Sequence, residues 1–283
     1  MNEKARVGTE ENQDIIKFVD VGKVYTNGCQ ALEDLSFGIR KGQIFCLLGP
    51  NGAGKTTTFD ILTKKTRVTS GQVSIQQQEK LTTGICLQSD TLWTGLTVRQ
   101  HLRIYSLMKG LCKADALEGI EYLMSKLGLK EHAEKRVKQL SGGTKRKLSV
   151  ALALLGGPDL VVLDEATTGV DPIARNQIWE LLKTLSEKKK TTVLISTHYM
   201  EDAELVADKL GILINGTLES VGSISELRKR YEEYSVIIKG IEDDSVDYLK
   251  DMIKNIIPKA QVDPTANQSK ALTFKVIFLC EFE

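Results

Sequence analysis

Gly49-Pro50-Asn51-Gly52-Ala53-Gly54-Lys55-Thr56 follows the apolar run Ile44-Phe45-Cys46-Leu47-Leu48 and leads into residues 56–63, whose spacing is helical. Strand, glycine-rich loop and helix, in that order, match GxxxxGK[ST] in the context that gives the pattern its meaning. Glycines let the loop fold back so that successive N–H groups point at phosphate oxygens, and the helix adds the positive end of its dipole. Lys55 is expected to reach the β- and γ-phosphates of a nucleotide, and the Thr56 hydroxyl to bind Mg²⁺. The whole run from Gly49 to Thr57 is the candidate cradle.

A second strand-like run, Asp159-Leu160-Val161-Val162-Leu163, ends in Asp164-Glu165. Two acids at the carboxyl end of a parallel strand lie where α/β sheets bind ligands. Asp164 is expected to orient Mg²⁺, directly or through water. Glu165 is expected to polarise the water that attacks the γ-phosphate.

Further along, short apolar runs keep alternating with helical-period segments, 160–163 with 172–186 and 192–196 with 200–207. This is the pattern of a parallel sheet flanked by helices. Between Thr97 and Leu155 leucines and methionines recur at three- and four-residue spacing, which predicts a helical insert. Composition breaks near Tyr231–Tyr234. Beyond it the spacing predicts a strand at 236–239, a helix carrying Val246, Leu249, Ile253, Ile256 and Ile257 on one face, and an alternating strand over 272–282. The first fourteen residues are polar, mix acids with bases and lack a signal peptide's apolar centre, so they read as a flexible lead-in.

Composition excludes more than it assigns. The 38 Lys and Arg balance 37 Asp and Glu, so charge argues for neither nucleic acid nor an anionic membrane surface. No stretch reaches the roughly 18–20 apolar residues that cross a bilayer. The isolated chain is therefore expected to be soluble. Five cysteines without metal-ligand or CxxC spacing, four of them in apolar runs, fit free thiols in a reducing compartment.

Leu140-Ser141-Gly142-Gly143-Thr144-Lys145-Arg146 opens a helical segment about twenty residues before the acidic strand end. Here the chain resembles the ATP-binding cassette (ABC) family, whose LSGGQ-type signature stands at this place. The resemblance runs in order over about residues 16–227 and is closest to the A subfamily, the lipid-associated exporters of eukaryotes. The wording that carries this is Gly52 to Thr58, Lys145 to Ala153, and Thr197-His198-Tyr199-Met200-Glu201-Asp202-Ala203-Glu204.

The resemblance implies an α/β P-loop NTPase fold of cassette type: a mostly parallel sheet core, an antiparallel β subdomain and a helical subdomain at about 90–157. The cassette would span 15–232, followed by a small βαβ (α+β) regulatory-type unit at 233–283. It also implies that Tyr25 stacks on adenine, that Gln88 contacts Mg²⁺ and the attacking water, and that His198 touches the γ-phosphate. Ser141, Gly142 and Gly143 would bind the γ-phosphate held by a second cassette, and Asp171 would lie on the loop that crosses between the two. The partners implied are that second cassette and the transmembrane domains of a transporter, with the chain on the cytoplasmic side of the membrane. Trp93 and Leu96 are the expected contacts to those domains, or else simply core.

The chain departs from the family pattern at Ala166 and at Leu87, each where proline is frequent, and over 76–83, which is short. Two other readings stay open from the residues. One is a soluble cassette of translation or DNA maintenance, against which stand the single cassette, the lack of a heptad-rich arm and the lack of a basic patch. The other is a cassette that binds nucleotide as a regulator without turning it over. Lys55, Glu165 and His198 argue against that.

Overall fold

The structure is a computed structural model of the chain that describes residues 3, 7, 14–76, 81–89, 91–230, 233–239, 252, 260–262 and 271–277. It divides into two compact units, Met1–Ser223 and Ile224–Glu283. The division falls upstream of the composition break at Tyr231–Tyr234.

In the first unit a six-stranded sheet is built from β3 (Ile44–Leu48), β5 (Thr83–Cys86), β6 (Leu160–Asp164), β7 (Thr192–Thr197), β8 (Lys209–Ile214) and β9 (Thr217–Gly222), in the order β5-β6-β7-β3-β8-β9. The first five run parallel; β9 alone is antiparallel, to β8. Asn215 and Gly216 join these last two, both at positive φ, which is what a two-residue turn with the twist of its strands requires. Every residue of β6 and β7 is buried, as a parallel sheet covered on both faces demands. The helices over it include α1 (Lys55–Leu62), α4 (Gly142–Leu154), α5 (Pro172–Lys189) and α6 (Met200–Val206).

A second sheet, β2 (Gln30–Arg40), β1 (Asp14–Val24) and β4 (Ser70–Ile75) in the order β2-β1-β4, is antiparallel throughout. Phe18 and Phe37 pair across it with ring centroids 4.5 Å apart, and Phe37 stacks on Phe45 of β3 at 4.9 Å. Aromatic stacking thus ties the two sheets into one core. The expected helical insert is α2 (Val98–Met108), α3 (Lys113–Lys126), two short 3₁₀ turns and α4. Thr97 and Gln100 start α2 with reciprocal side-chain-to-backbone bonds. Leu148, Val150, Leu152 and Leu154 of α4 are buried, each contributing about 1.5–3 kcal/mol by leaving water.

Within the expected lead-in, Glu3 and Val7 are described ahead of β1. Glu3 Oε1 accepts from Lys209 Nζ at 2.7 Å and from Gly38 N at 3.3 Å, and Val7 is buried. Among the described residues the second unit holds α7 (Ile224–Arg230) and three antiparallel strands, β10 (Glu233–Lys239), β11 (Ala260–Val262) and β12 (Ala271–Ile277), in the order β10-β12-β11. A strand–helix–strand unit was expected here. The added strand is β11, whose three residues are too few to show a period. The helix expected over 246–257 lies, apart from helical Met252, outside the described residues, as does everything after Ile277.

Candidate functional site

The carboxyl ends of β3, β6 and β7 are neighbours in the sheet, so the segments leaving them converge. The first is the glycine loop into α1. Gly54, which precedes α1, has φ +105°, and a Cβ there would lie 2.6 Å from Ala31 O. Only glycine fits. Lys55 is almost fully buried, and its ammonium donates to Gly49 O at 2.8 Å and Pro50 O at 3.0 Å.

From β6 come Asp164 and Glu165. Asp164 Oδ1 accepts from Ser196 Oγ of β7 at 2.5 Å, and its carboxyl also takes a bond from Thr56. Burial pushes the Asp164 carboxyl above its ordinary value, while those two hydrogen bonds work the other way. Glu165 N donates to the same Ser196 Oγ at 2.9 Å. One β7 serine thus fixes both acids.

The Glu165 side chain is the centre of the group. Its Oε2 accepts from Gln88 Nε2 at 3.1 Å; its Oε1 lies 3.6 Å from Lys55 Nζ and 3.8 Å from His198 Nδ1. Four residues expected to act together therefore meet at one buried carboxylate, brought from β3, β5, β6 and β7. The Tyr25 hydroxyl lies 3.3 Å from Thr57 Oγ1, and Lys23 Nζ stands over the Tyr25 ring, 5.1 Å from its centroid. An aromatic face thus borders the open side of the cradle.

Ser141 and Asp171 are elsewhere. Ser141 caps α4, its Oγ accepting from Thr144 N at 3.2 Å, with Gly142 and Gly143 in the first turn behind it. Asp171 caps α5 through Ala174 N at 2.9 Å, and Pro172 follows at the first helical position. Both are exposed, and among the described residues neither is bonded to the Lys55–Glu165 group. They are helix N-termini facing solvent, where an anion is favoured. Trp93 is about half exposed and stacks on buried His101 at 5.7 Å, so it is only partly in the core.

Sequence reasoning missed three groups. Ser196 is one. Arg146, buried on α4, is another: its guanidinium reaches main-chain carbonyls on either side of Glu165 and at Gln88. The third is Asp202 of α6, buried, which accepts from Thr167 Oγ1 at 3.1 Å, Trp179 Nε1 at 3.3 Å and Arg175 Nη1 at 3.4 Å. Arg175 also lies 5.0 Å over the Tyr199 ring, which packs on the His198 ring at 4.0 Å. An acid in the first turn of a helix was the available signal for Asp202. No metal-type cluster of His, Cys, Asp and Glu occurs among the described residues. Of the cysteines, Cys46 and Cys86 are buried while Cys29 and Cys112 are exposed, so the apolar runs do not account for all of them.

A glycine-rich P-loop, an acidic strand end and a helical insert carrying a Ser-Gly-Gly helix start define a P-loop NTPase fold of cassette type. Residues 32–168 match the ABC transporter family. The chain belongs to that family, as its ATP-binding domain. It is 38% identical over 259 residues to the mouse cholesterol transporter ABCA5, covering 87% of this chain and 16% of the relative, and 39% identical over 241 residues to human ATP-binding cassette sub-family A member 10, covering 81% and 16%. The chain thus spans about a sixth of the length of these relatives. Among solved structures, the ATP-binding subunit of an ABC transporter superposes with a TM-score of 0.69 at 27% identity, covering 76% of this chain and 92% of that one. The dimeric structure of a bacterial ABC transporter cassette shares the fold, with a TM-score of 0.67 at 24% identity over 74% and 98%.

Proposed function

We propose that this chain hydrolyses ATP as the nucleotide-binding domain of an A-subfamily type ABC transporter, closing on a second cassette to drive export of a lipid or similarly hydrophobic substrate. The observation that carries the reading is the convergence of Lys55, Gln88 and His198 on the Glu165 carboxylate. Lys55 and the loop N–H groups hold the phosphates, and Tyr25 stacks on the base. Thr56 and Asp164, joined by a hydrogen bond, offer hydroxyl and carboxylate oxygens, the hard donor set that suits Mg²⁺. Gln88 would complete that set, and Mg²⁺ held there would supply positive charge opposite the phosphates. Glu165 orients the water and takes its proton as the Pγ–O bond to ADP breaks; His198 holds the γ-phosphate.

Ser141, Gly142, Gly143 and Asp171 serve the opposite nucleotide. Their exposure and separation from the Lys55–Glu165 group support that reading. The solved cassette that is dimeric supports it by shared fold. Because each nucleotide needs groups from two cassettes, ATP binding becomes a closure, and hydrolysis reopens the pair. Among the described residues no helix is long and apolar enough to cross a membrane. Membrane-spanning domains are proposed as partners because the relatives it matches are transporters, with this unit associated at the cytoplasmic face.

The trans assignment has a direct test. Ser141→Arg should abolish turnover and leave ATP affinity at the phosphate loop nearly unchanged, read by equilibrium binding beside a phosphate-release assay. Loss of both together would contradict it.

A further inference from the structure

Arg146 lies on α4 about one and a half turns beyond Ser141 and is 5% exposed. Nε donates to Ala166 O at 3.1 Å, Nη1 to Leu87 O at 2.5 Å and to Gln88 O at 3.1 Å, and Nη2 to Asp164 O at 2.5 Å. Asp164 and Ala166 flank Glu165. Leu87 and Gln88 start the segment that leaves β5. One guanidinium therefore grips the backbone on both sides of a side-chain contact, Gln88 Nε2 to Glu165 Oε2.

The backbone it grips is strained. Glu165 has φ +46°, a left-handed conformation that side chains rarely adopt and that persists only where its surroundings over-determine it. Bonds to the carbonyls before and after Glu165, together with Glu165 N to Ser196 Oγ, supply that constraint. A rigid, permanently charged fork with five donors suits the task. Lysine has one donor centre and cannot span these carbonyls at once.

We propose that Arg146 is a positioning residue: it sets the Glu165–Gln88 geometry and transmits the position of the helix opened by Ser141 to the carboxylate of its own site. A displacement of α4 moves the guanidinium, and the guanidinium carries both segments. An anion engaged at Ser141–Gly143 then bears on Glu165 without touching it. This rests on the hydrolytic reading proposed above, and the test separates the two.

The full chain is compared with Arg146→Met, which keeps the buried aliphatic volume, Arg146→Lys, and Glu165→Gln. Turnover should fall by about 10- to 100-fold in the Met variant, the cost of sub-ångström to ångström misplacement, with ATP affinity held within about threefold. The Lys variant should recover part of that loss. Hydrogen–deuterium exchange should quicken in peptides covering 86–89 and 164–168 while those covering 44–56 and 192–197 keep the parent's rate. Uniform loss of protection would make Arg146 a general stabiliser and overturn the inference, as would parent turnover in the Met variant while Glu165→Gln is inactive. Parent turnover in Glu165→Gln itself would instead remove the hydrolytic reading. If the Met variant does not fold, Arg146→Lys decides, with the same local exchange and reduced turnover expected and parent behaviour in both refuting.

Discussion

Asp202→Ala should cost stability out of proportion to one side chain. The carboxylate is 2% exposed and accepts from Trp179 Nε1 and Thr167 Oγ1, both on residues nearly as buried. Removing it leaves each donor without that partner, at about 1–3 kcal/mol apiece. Arg175, its third donor, has a side chain 24% exposed and a longer contact of 3.4 Å, so solvent reduces its share to about 0–1 kcal/mol. The sum is about 2–7 kcal/mol, a large fraction of the roughly 5–15 kcal/mol that holds a domain together. In urea, with a slope of about 2–3 kcal/mol per molar, the midpoint should fall by about 1–3 M. A double-mutant cycle of Asp202→Ala with Trp179→Phe should show coupling of about 1 kcal/mol or more, and the cycle with Arg175→Ala less. Urea unfolding followed by tryptophan fluorescence measures both. A loss under about 1 kcal/mol, or stronger coupling to Arg175 than to Trp179, would refute the view that buried donors dominate this network.

Lys55→Ala removes the charge that faces the phosphates and should weaken ATP binding itself, by isothermal titration, with folding intact; equal affinity in parent and variant would sink the assignment. His101 supplies a pH dependence. Its Nδ1 faces Thr97 O at 3.0 Å and its Nε2 accepts from Trp93 N at 3.0 Å, an arrangement that needs the neutral ring protonated at Nδ1. Burial lowers its pKa from 6.5, with the Thr97 carbonyl opposing, so the unfolded chain takes the proton first. Its contribution is therefore present above pH 6.5 and lost as pH falls from there through the folded value. Urea midpoints between about pH 8 and 5 should show a slope that His101→Gln reduces; identical slopes would refute it.

The shape of the loop into α1 was legible because its pattern encodes backbone geometry: glycines at 52 and 54, where φ is positive, and a lysine and a threonine at fixed offsets. Asp164 and Glu165 were legible because two adjacent acids close an apolar run, at the strand end where α/β sheets bind ligands. Arg146 was not, since its partners are carbonyl oxygens, which every residue has, and only the fold says which of them meet. Asp202 is similar, because its donors come from segments 23 to 35 residues away. Asn215-Gly216, by contrast, carried a hairpin signal between two apolar runs that the sequence reading passed over. Leu87 and Ala166, the two departures from proline, both have their carbonyls held by Arg146.

The central claim is that Glu165 activates water in a nucleotide sandwich of two cassettes. Glu165→Gln keeps the cradle and removes the proton acceptor, so the sandwich should form and persist. Size-exclusion chromatography of this variant, with and without ATP and Mg²⁺, measures it directly. The account predicts a monomer without ATP, a dimer with it, and phosphate release reduced to near background. A variant that stays monomeric with ATP while hydrolysing at the parent's rate would contradict it.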